Sequence, residues 1–264
     1  MLLVTLLLMT VVPVKAQYSM TNTAFQAGET LTYNLYFNWK FVWVNCGTAS
    51  MSIQRSSFSG QPALKASLIT HTSSKVDNFF VMRDTLMSYC TQDLKPLYFR
   101  KGAREGKRYT VDQVWYSYSG SGCQLKQSRY KQGDGTKTMT KNRTDVVLDM
   151  MNMFLRARNF NPSGWKAGHV VKMNTADGNS IDACQLRYVG KKTIKGDDKR
   201  KYRCLELAFS AIDDGKMREI VRFFVTDDAN HIPVRLDLSL KFGSAKAYIK
   251  TIKGNRSAIT SIEK

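Results

Sequence analysis

The chain has 264 residues and carries 40 Lys and Arg against 21 Asp and Glu, a formal charge of +19. That length supports one large domain or two small ones with a sizeable core, and the charge informs the choice of partner rather than the fold. Five cysteines, Cys46, Cys90, Cys123, Cys184 and Cys204, are too few and too scattered for a disulfide scaffold, and no CxxC spacing suggests zinc.

In chain order the first feature is an apolar run from Leu2 to Val14, broken by Thr5, Thr10 and Pro13 and too short to span a bilayer as a helix. Val14-Lys15-Ala16 places small or aliphatic residues where a signal peptidase reads them, so cleavage is expected before Gln17. Residues 1–16 then form a signal peptide, and loss of Lys15 leaves a mature charge of +18. No Lys or Arg precedes the run, which points to a start further upstream. No Cys follows the cut, so a lipid anchor is not expected, and no later segment is apolar enough to cross a membrane as a helix. The expected location is the periplasm or the extracellular space.

From Leu31 onward the pattern has a period of two: Leu31, Tyr33, Leu35 and Phe37 alternate with Thr32, Asn34 and Tyr36. The alternation returns at Ala49 to Ile53, Leu64 to Leu68, Val111 to Tyr118, Ile181 to Val189 and Leu205 to Phe209. Glu219 to Thr226 and Ile232 to Leu240 read as a hairpin about Asp227-Asp228-Ala229-Asn230, and Gly243-Ser244 precedes a return strand. Connections this short demand antiparallel neighbours. Only Thr144 to Arg158 breaks the pattern. Thr144 can cap a helix there, with Val147, Leu148, Met151, Phe154 and Leu155 on one stripe, and Asn161-Pro162-Ser163-Gly164 ends it.

The expected fold is therefore mainly β: a large curved antiparallel sheet or half-open barrel with one packed α-helix. It forms a single mature domain over 17–264, the alternative being two β subdomains, 17–143 and 144–264.

Chemistry is sparse. His71, His169 and His231 have no spaced second ligand, and no zinc-protease, P-loop, serine-elbow or dinucleotide motif occurs. The pairs Asp197-Asp198, Asp213-Asp214 and Asp227-Asp228 all fall in expected turns, where Asp bonds its own backbone. No catalytic residue, metal or cofactor is expected. Cys184 and Cys204 flank the Gly196-Asp197-Asp198 turn asymmetrically and should miss each other, leaving free, half-buried thiols.

Two stretches suggest binding. Phe37-Asn38-Trp39-Lys40-Phe41-Val42-Trp43-Val44 is apolar on both faces of an extended segment, so something must cover the second face. Tyr98 to Tyr118 interleaves aromatics with Arg100, Lys101, Arg104, Lys107 and Arg108. In an exported protein that mixture suits sugars or phosphorylated glycolipids rather than nucleic acid. Trp39, Trp43, Met151 and Phe154 are the candidate apolar contacts, with Arg100 and Arg108 meeting an anionic group.

Gly28-Glu29-Thr30-Leu31-Thr32-Tyr33, Gly47-Thr48-Ala49, Leu94-Lys95-Pro96-Leu97-Tyr98, Phe154-Leu155-Arg156, Asp227 to Arg235 and Gly243-Ser244-Ala245 occur in an order that resembles domain-of-unknown-function family three-one-zero-eight, exported proteins of Gram-negative bacteria. The resemblance implies a periplasmic or surface β protein without established activity, and it carries over no functional residue. The expected role is non-catalytic binding of an apolar or amphiphilic anionic envelope ligand, a lipid, glycolipid or polysaccharide. The alternative is an interaction module that adds a strand to a protein partner or docks on acidic polysaccharide through the basic strands near Arg187 to Arg203.

Overall fold

The computed structural model describes residues 18–39, 42–240 and 243–263. The expected export signal lies outside the described residues, as does the side chain of Trp39. The first arm of the chain is β1 (Thr30–Trp39), β2 (Val42–Phe58), β3 (Gln61–Thr72), β4 (Met82–Cys90), β5 (Pro96–Glu105), β6 (Arg108–Ser119), β7 (Gly122–Lys131) and β8 (Gly135–Arg143), with one helical turn, α1 (Ser74–Asp77), before β4. The second arm is β9 (Val147–Leu148), helix α2 (Met150–Ala157), β10 (Val170–Asp177), β11 (Ser180–Lys195), β12 (Lys201–Asp213), β13 (Lys216–Thr226), β14 (Pro233–Leu240), β15 (Gly243–Lys253) and β16 (Ile262–Glu263).

All strands join one sheet, ordered β8 to β1, then β15 back to β9, with β16 beside β12. The pairing of β1 with β15 joins the two arms, and the two ends of the sheet, β8 and β9, are consecutive in the chain. The result is a nearly closed, barrel-like sheet. Across the remaining gap the Gln127 amide donates to the carbonyls of Gly178 and Ser180, both at 2.9 Å, and Asn174 reaches Asp145 at 2.8 Å. Gly178 sits in the β10–β11 turn at φ +55°, a left-handed conformation that favours glycine.

The period-two pattern produces this fold directly. Leu31, Tyr33, Met51, Ile53, Leu64, Ala66, Leu86, Phe99, Val114, Tyr116 and Leu125 turn the same way and pack in one cluster with Ile249 and Ala247. Gly47 permits the tightest crossing of β2 over β3, since a Cβ there would be 2.1 Å from the His71 carbonyl oxygen.

The expected helix begins later than its pattern suggests. Val147 and Leu148 form β9, parallel to β10 and so an exception to the antiparallel rule, and the cap is Asp149 instead of Thr144. Asp149 wins because its carboxylate accepts from the Asn152 backbone N–H at 2.9 Å, while the two residues before it already serve the sheet. Met151, Asn152, Met153 and Leu155 are buried, but Met150 faces solvent, so the helix is not apolar all round. Arg158 is its C-cap and is buried.

The cysteines are free, as expected, but four of the five are fully buried and only Cys46 is half-buried. Cys184 pairs in register with Ala211 and Cys204 with Lys192, so the two thiols miss each other. The three Asp pairs all border turns.

Candidate functional site

Strand direction sorts the connections between two ends of the barrel. The β1–β2, β3–β4, β5–β6, β7–β8, β10–β11, β12–β13 and β14–β15 connections share one end, the hairpin end. The other, the capped end, is covered by the chain before β1, the C-terminus of α2, the β13–β14 turn and the tail after β15.

The capped end is knitted together by buried polar groups. Arg158 and Glu29, 2% and 1% exposed, form a bidentate pair at 2.5 and 3.0 Å, and Arg158 also donates to the Asn230 carbonyl at 2.9 Å. The Asn230 amide reaches the Ser257 carbonyl at 3.0 Å, tying in the C-terminal tail, and the Phe25 ring lies 5.2 Å from the guanidinium carbon. Deeper in, Asp149 is fully buried and is reached by the Asn152 amide at 2.7 Å and the Tyr116 hydroxyl at 3.3 Å. Burial raises its carboxyl above the usual range against the pull of those hydrogen bonds. Its partners are those of a helix cap fastened to β4 and β6.

The hairpin end is built oppositely. Eleven of the fourteen large apolar residues exposed among the described residues belong to it. They are Val42, Trp43 and Val44 after the β1–β2 connection; Ile69, Phe79 and Phe80 about the β3–β4 connection; Tyr109 and Tyr130 beside the next two turns; Ile212 and Met217 flanking β12–β13; and Leu240 ending β14. Phe79 is 90% exposed. Phe80 leans toward the β5–β6 turn, where a Cβ on Gly106 would meet its ring at 3.4 Å, and Lys246 lies 4.1 Å over the Trp43 ring. Among these hydrophobes Lys75, Arg104, Lys107, Lys131, Lys137 and Lys216 are exposed, with no carboxylate within ion-pair distance among the described residues.

Beneath this rim the inward faces of β4 to β7 turn from apolar to charged. Asp84, Lys101, Asp112 and Arg129 occupy neighbouring cross-strand positions, and Arg129 meets Asp112 at 3.0 Å. Burial pushes the Asp84 carboxyl up to about 6; Lys101 opposes that shift and Glu105 adds to it. One Asp84 oxygen and the Gln127 oxygen are buried without partners, the sort of site where water or a ligand group completes the bonding. A hollow of about 220 Å³ is lined by Arg129, Lys131, Asp134, Lys137, Asn179 and Ser180.

Of the six sequence-predicted residues, the five whose side chains are described are not brought together. Met151 is 2% exposed in the core, and Phe154 packs against Phe223 with ring centroids 6.2 Å apart. Trp43 and Arg108 reach the hairpin end, Arg108 paired with Glu105 at 2.9 Å. Arg100 lies on the outward face of β5, over Gly102. Neither the hollow of about 220 Å³ nor a larger one of about 750 Å³ is lined by Trp43, Met151 or Phe154. The larger hollow lies near the β6–β7 turn, lined by Ser117, Gln124, Asn142 and Arg143. Sequence reasoning found the Trp43 segment and missed Phe79 and Phe80, whose only signal was an adjacent aromatic pair in a segment without alternation.

No group of His, Cys, Asp or Glu among the described residues could hold a metal ion, and no helix among them is long and apolar enough to cross a membrane. The architecture defines a mainly β, barrel-like protein whose exposed large apolar side chains, among the described residues, gather at one end of the barrel. The chain belongs to the family described as a protein of unknown function, DUF3108, whose match covers residues 32–250. Its fold is similar to the crystal structure of a beta-barrel-like protein of the domain of unknown function DUF1849 from Brucella abortus, at a TM-score of 0.55 and 12% identity over 87% of this chain and 99% of that one. No curated protein matches the sequence.

Proposed function

We propose that the protein is exported and acts as a non-catalytic binding protein whose hairpin end docks on anionic amphiphiles such as acidic phospholipids. The observation that carries this reading is the concentration of exposed apolar side chains at that end, set among unpaired cations. Aromatic and aliphatic tips enter the boundary between head groups and acyl chains, and each Lys or Arg near an anionic surface adds roughly 1 kcal/mol. The expected ligand class of the sequence is thus retained, and its site moves from the interior to the rim. Scattered single hydrophobes are ordinary on protein surfaces; a set gathered about six connections at one end is not.

The test is co-sedimentation with vesicles. Binding is expected to vesicles of phosphatidylcholine with phosphatidylglycerol, weaker with phosphatidylcholine alone, and reduced by salt. Equal failure to bind both compositions at low salt overturns the reading. A second reading, strand addition to a partner protein, is favoured by one feature: β8 ends the sheet with an unpaired edge and is exposed along almost its whole length. Lys137 and Lys141 on that strand are the kind of residues that discourage edge pairing, which places this reading second.

A further inference from the structure

On the outward face of the first arm, one cross-strand row runs Lys65, Tyr89, Tyr98, Trp115, Lys126 over five successive strands, β3 to β7, every pair directly in register. Each member lies between buried residues, as Trp115 does between Val114 and Tyr116, so the row stands on the face opposite those side chains. The rings form a continuous rail: Tyr89 to Tyr98 at 6.3 Å, Tyr98 to Trp115 at 5.4 Å, with Phe58 stacked on Tyr98 at 5.6 Å and 12°. Lys65 lies 5.9 Å from the Tyr89 ring and Lys126 5.7 Å from the Trp115 ring, closing the row with a cation at each end. Gln113 fixes the Tyr98 hydroxyl at 2.6 Å, and Arg100, next on the same face, adds a third cation.

We propose that this rail is a second binding surface, separate from the hairpin end, and that its occupant is a linear acidic polysaccharide lying across the strands. Strand spacing of about 4.8 Å gives the row a span of roughly 19 Å, long enough for several sugar rings in a line. The chemistry matches along that length. The half-buried Tyr89 and Trp115 side chains offer apolar surface to the C–H faces of sugars, while Tyr98, 9% exposed and stacked on Phe58, backs them, and the terminal lysines with Arg100 meet carboxylates. Neither the row nor the flanking Arg100 and Gln113 includes an acidic residue, so a neutral glycan would leave three cations unmatched and an acidic one would not. Cross-strand aromatic contacts stabilise a sheet by themselves. The in-register lysines at both ends lie at the outer limit of a cation–π contact and have no carboxylate within ion-pair distance among the described residues, so their charges point to an anionic ligand.

The experiment is affinity electrophoresis of the full chain through gels containing polygalacturonate or dextran. Retardation is expected in polygalacturonate and not in dextran. The double variant Lys65→Gln/Lys126→Gln, which leaves the rings in place, should lose at least tenfold in apparent affinity. Lys172→Gln/Lys195→Gln removes the same charge from exposed positions on the other arm and should lose less than twofold. Equal losses in the two double variants would show attraction to net charge alone and overturn the proposal, as would absence of retardation. Trp115→Phe should keep most of the binding and Trp115→Ala should lose it, with circular dichroism checking that both fold. Phe79→Ser/Phe80→Ser should leave retardation unchanged, so failure of the lipid reading and failure of this one are told apart.

Discussion

The two ends of this barrel solve opposite problems with the same strands. At the capped end, chain segments distant in sequence converge on buried charges, and every polar group of the Glu29–Arg158 pair finds a partner. At the hairpin end, the connections leave apolar side chains in water and charged ones beneath them. Burying a charge without its partner costs several kcal/mol, so the first end is fixed by stability. Exposed apolar tips give nothing to folding, so the second end is free to be shaped by what it touches.

The largest expected effect is at the capped end. Glu29→Gln leaves Arg158 buried without a counter-charge and should destabilise the protein by about 3–5 kcal/mol in urea unfolding, whereas Glu29→Leu/Arg158→Met should recover much of that loss. A double variant no better than the single would show that the hydrogen bonds to Asn230, and not the uncompensated charge, hold this end. Asp149→Ala removes the α2 cap and strands the Asn152 amide in the core, for a loss of about 2 kcal/mol.

Smaller effects belong to the other end. Because the folded state holds the Asp84 proton up to about pH 6, ionising it as pH rises from below 4 to above 6 costs stability. Asp84→Asn should therefore raise Tm at pH 8, leave it nearly unchanged at pH 3.5, and flatten the slope between. A parallel pH profile for variant and wild type would contradict the assignment. Smallest in stability is Phe79→Ser/Phe80→Ser, expected within about 0.5 kcal/mol of wild type per position, because exposed side chains contribute little to folding.

Much of the barrel was legible in the sequence because period-two alternation is a direct consequence of a sheet with one buried face. β1, β6, β11 and β12 announce themselves in this way, and Asp227 to Asn230 announces the β13–β14 turn. β8 was invisible because it is exposed on both faces and so has nothing to alternate. The start of α2 was misread because Val147 and Leu148 fit a helical stripe and a two-residue strand equally well. The family was legible for a physical reason. Glu29 is one half of the buried ion pair, Gly47 stands where a Cβ would strike a carbonyl, and Asn230 supplies the oxygen that completes Arg158.

The candidate site was only half legible. The two-faced segment at Trp43 was visible, but its companions lie on connections from residue 69 to residue 240, and only the pairing of β1 with β15 brings both arms to a common rim. Met151 and Phe154 were singled out because an apolar helical stripe looks the same whether it faces a ligand or the core.

The orientation itself can be measured directly. Two versions of the protein, each with three of its four tryptophans changed to Phe, would keep only Trp43 at the hairpin end or only Trp165 in the α2–β10 connection, at the opposite end of β10 from the β10–β11 turn. With vesicles of phosphatidylglycerol carrying brominated acyl chains, Trp43 fluorescence should shift to the blue and be quenched, while Trp165 stays unchanged. Quenching of Trp165 as strong as that of Trp43, or of neither with the protein bound, would contradict a hairpin end that faces the lipid.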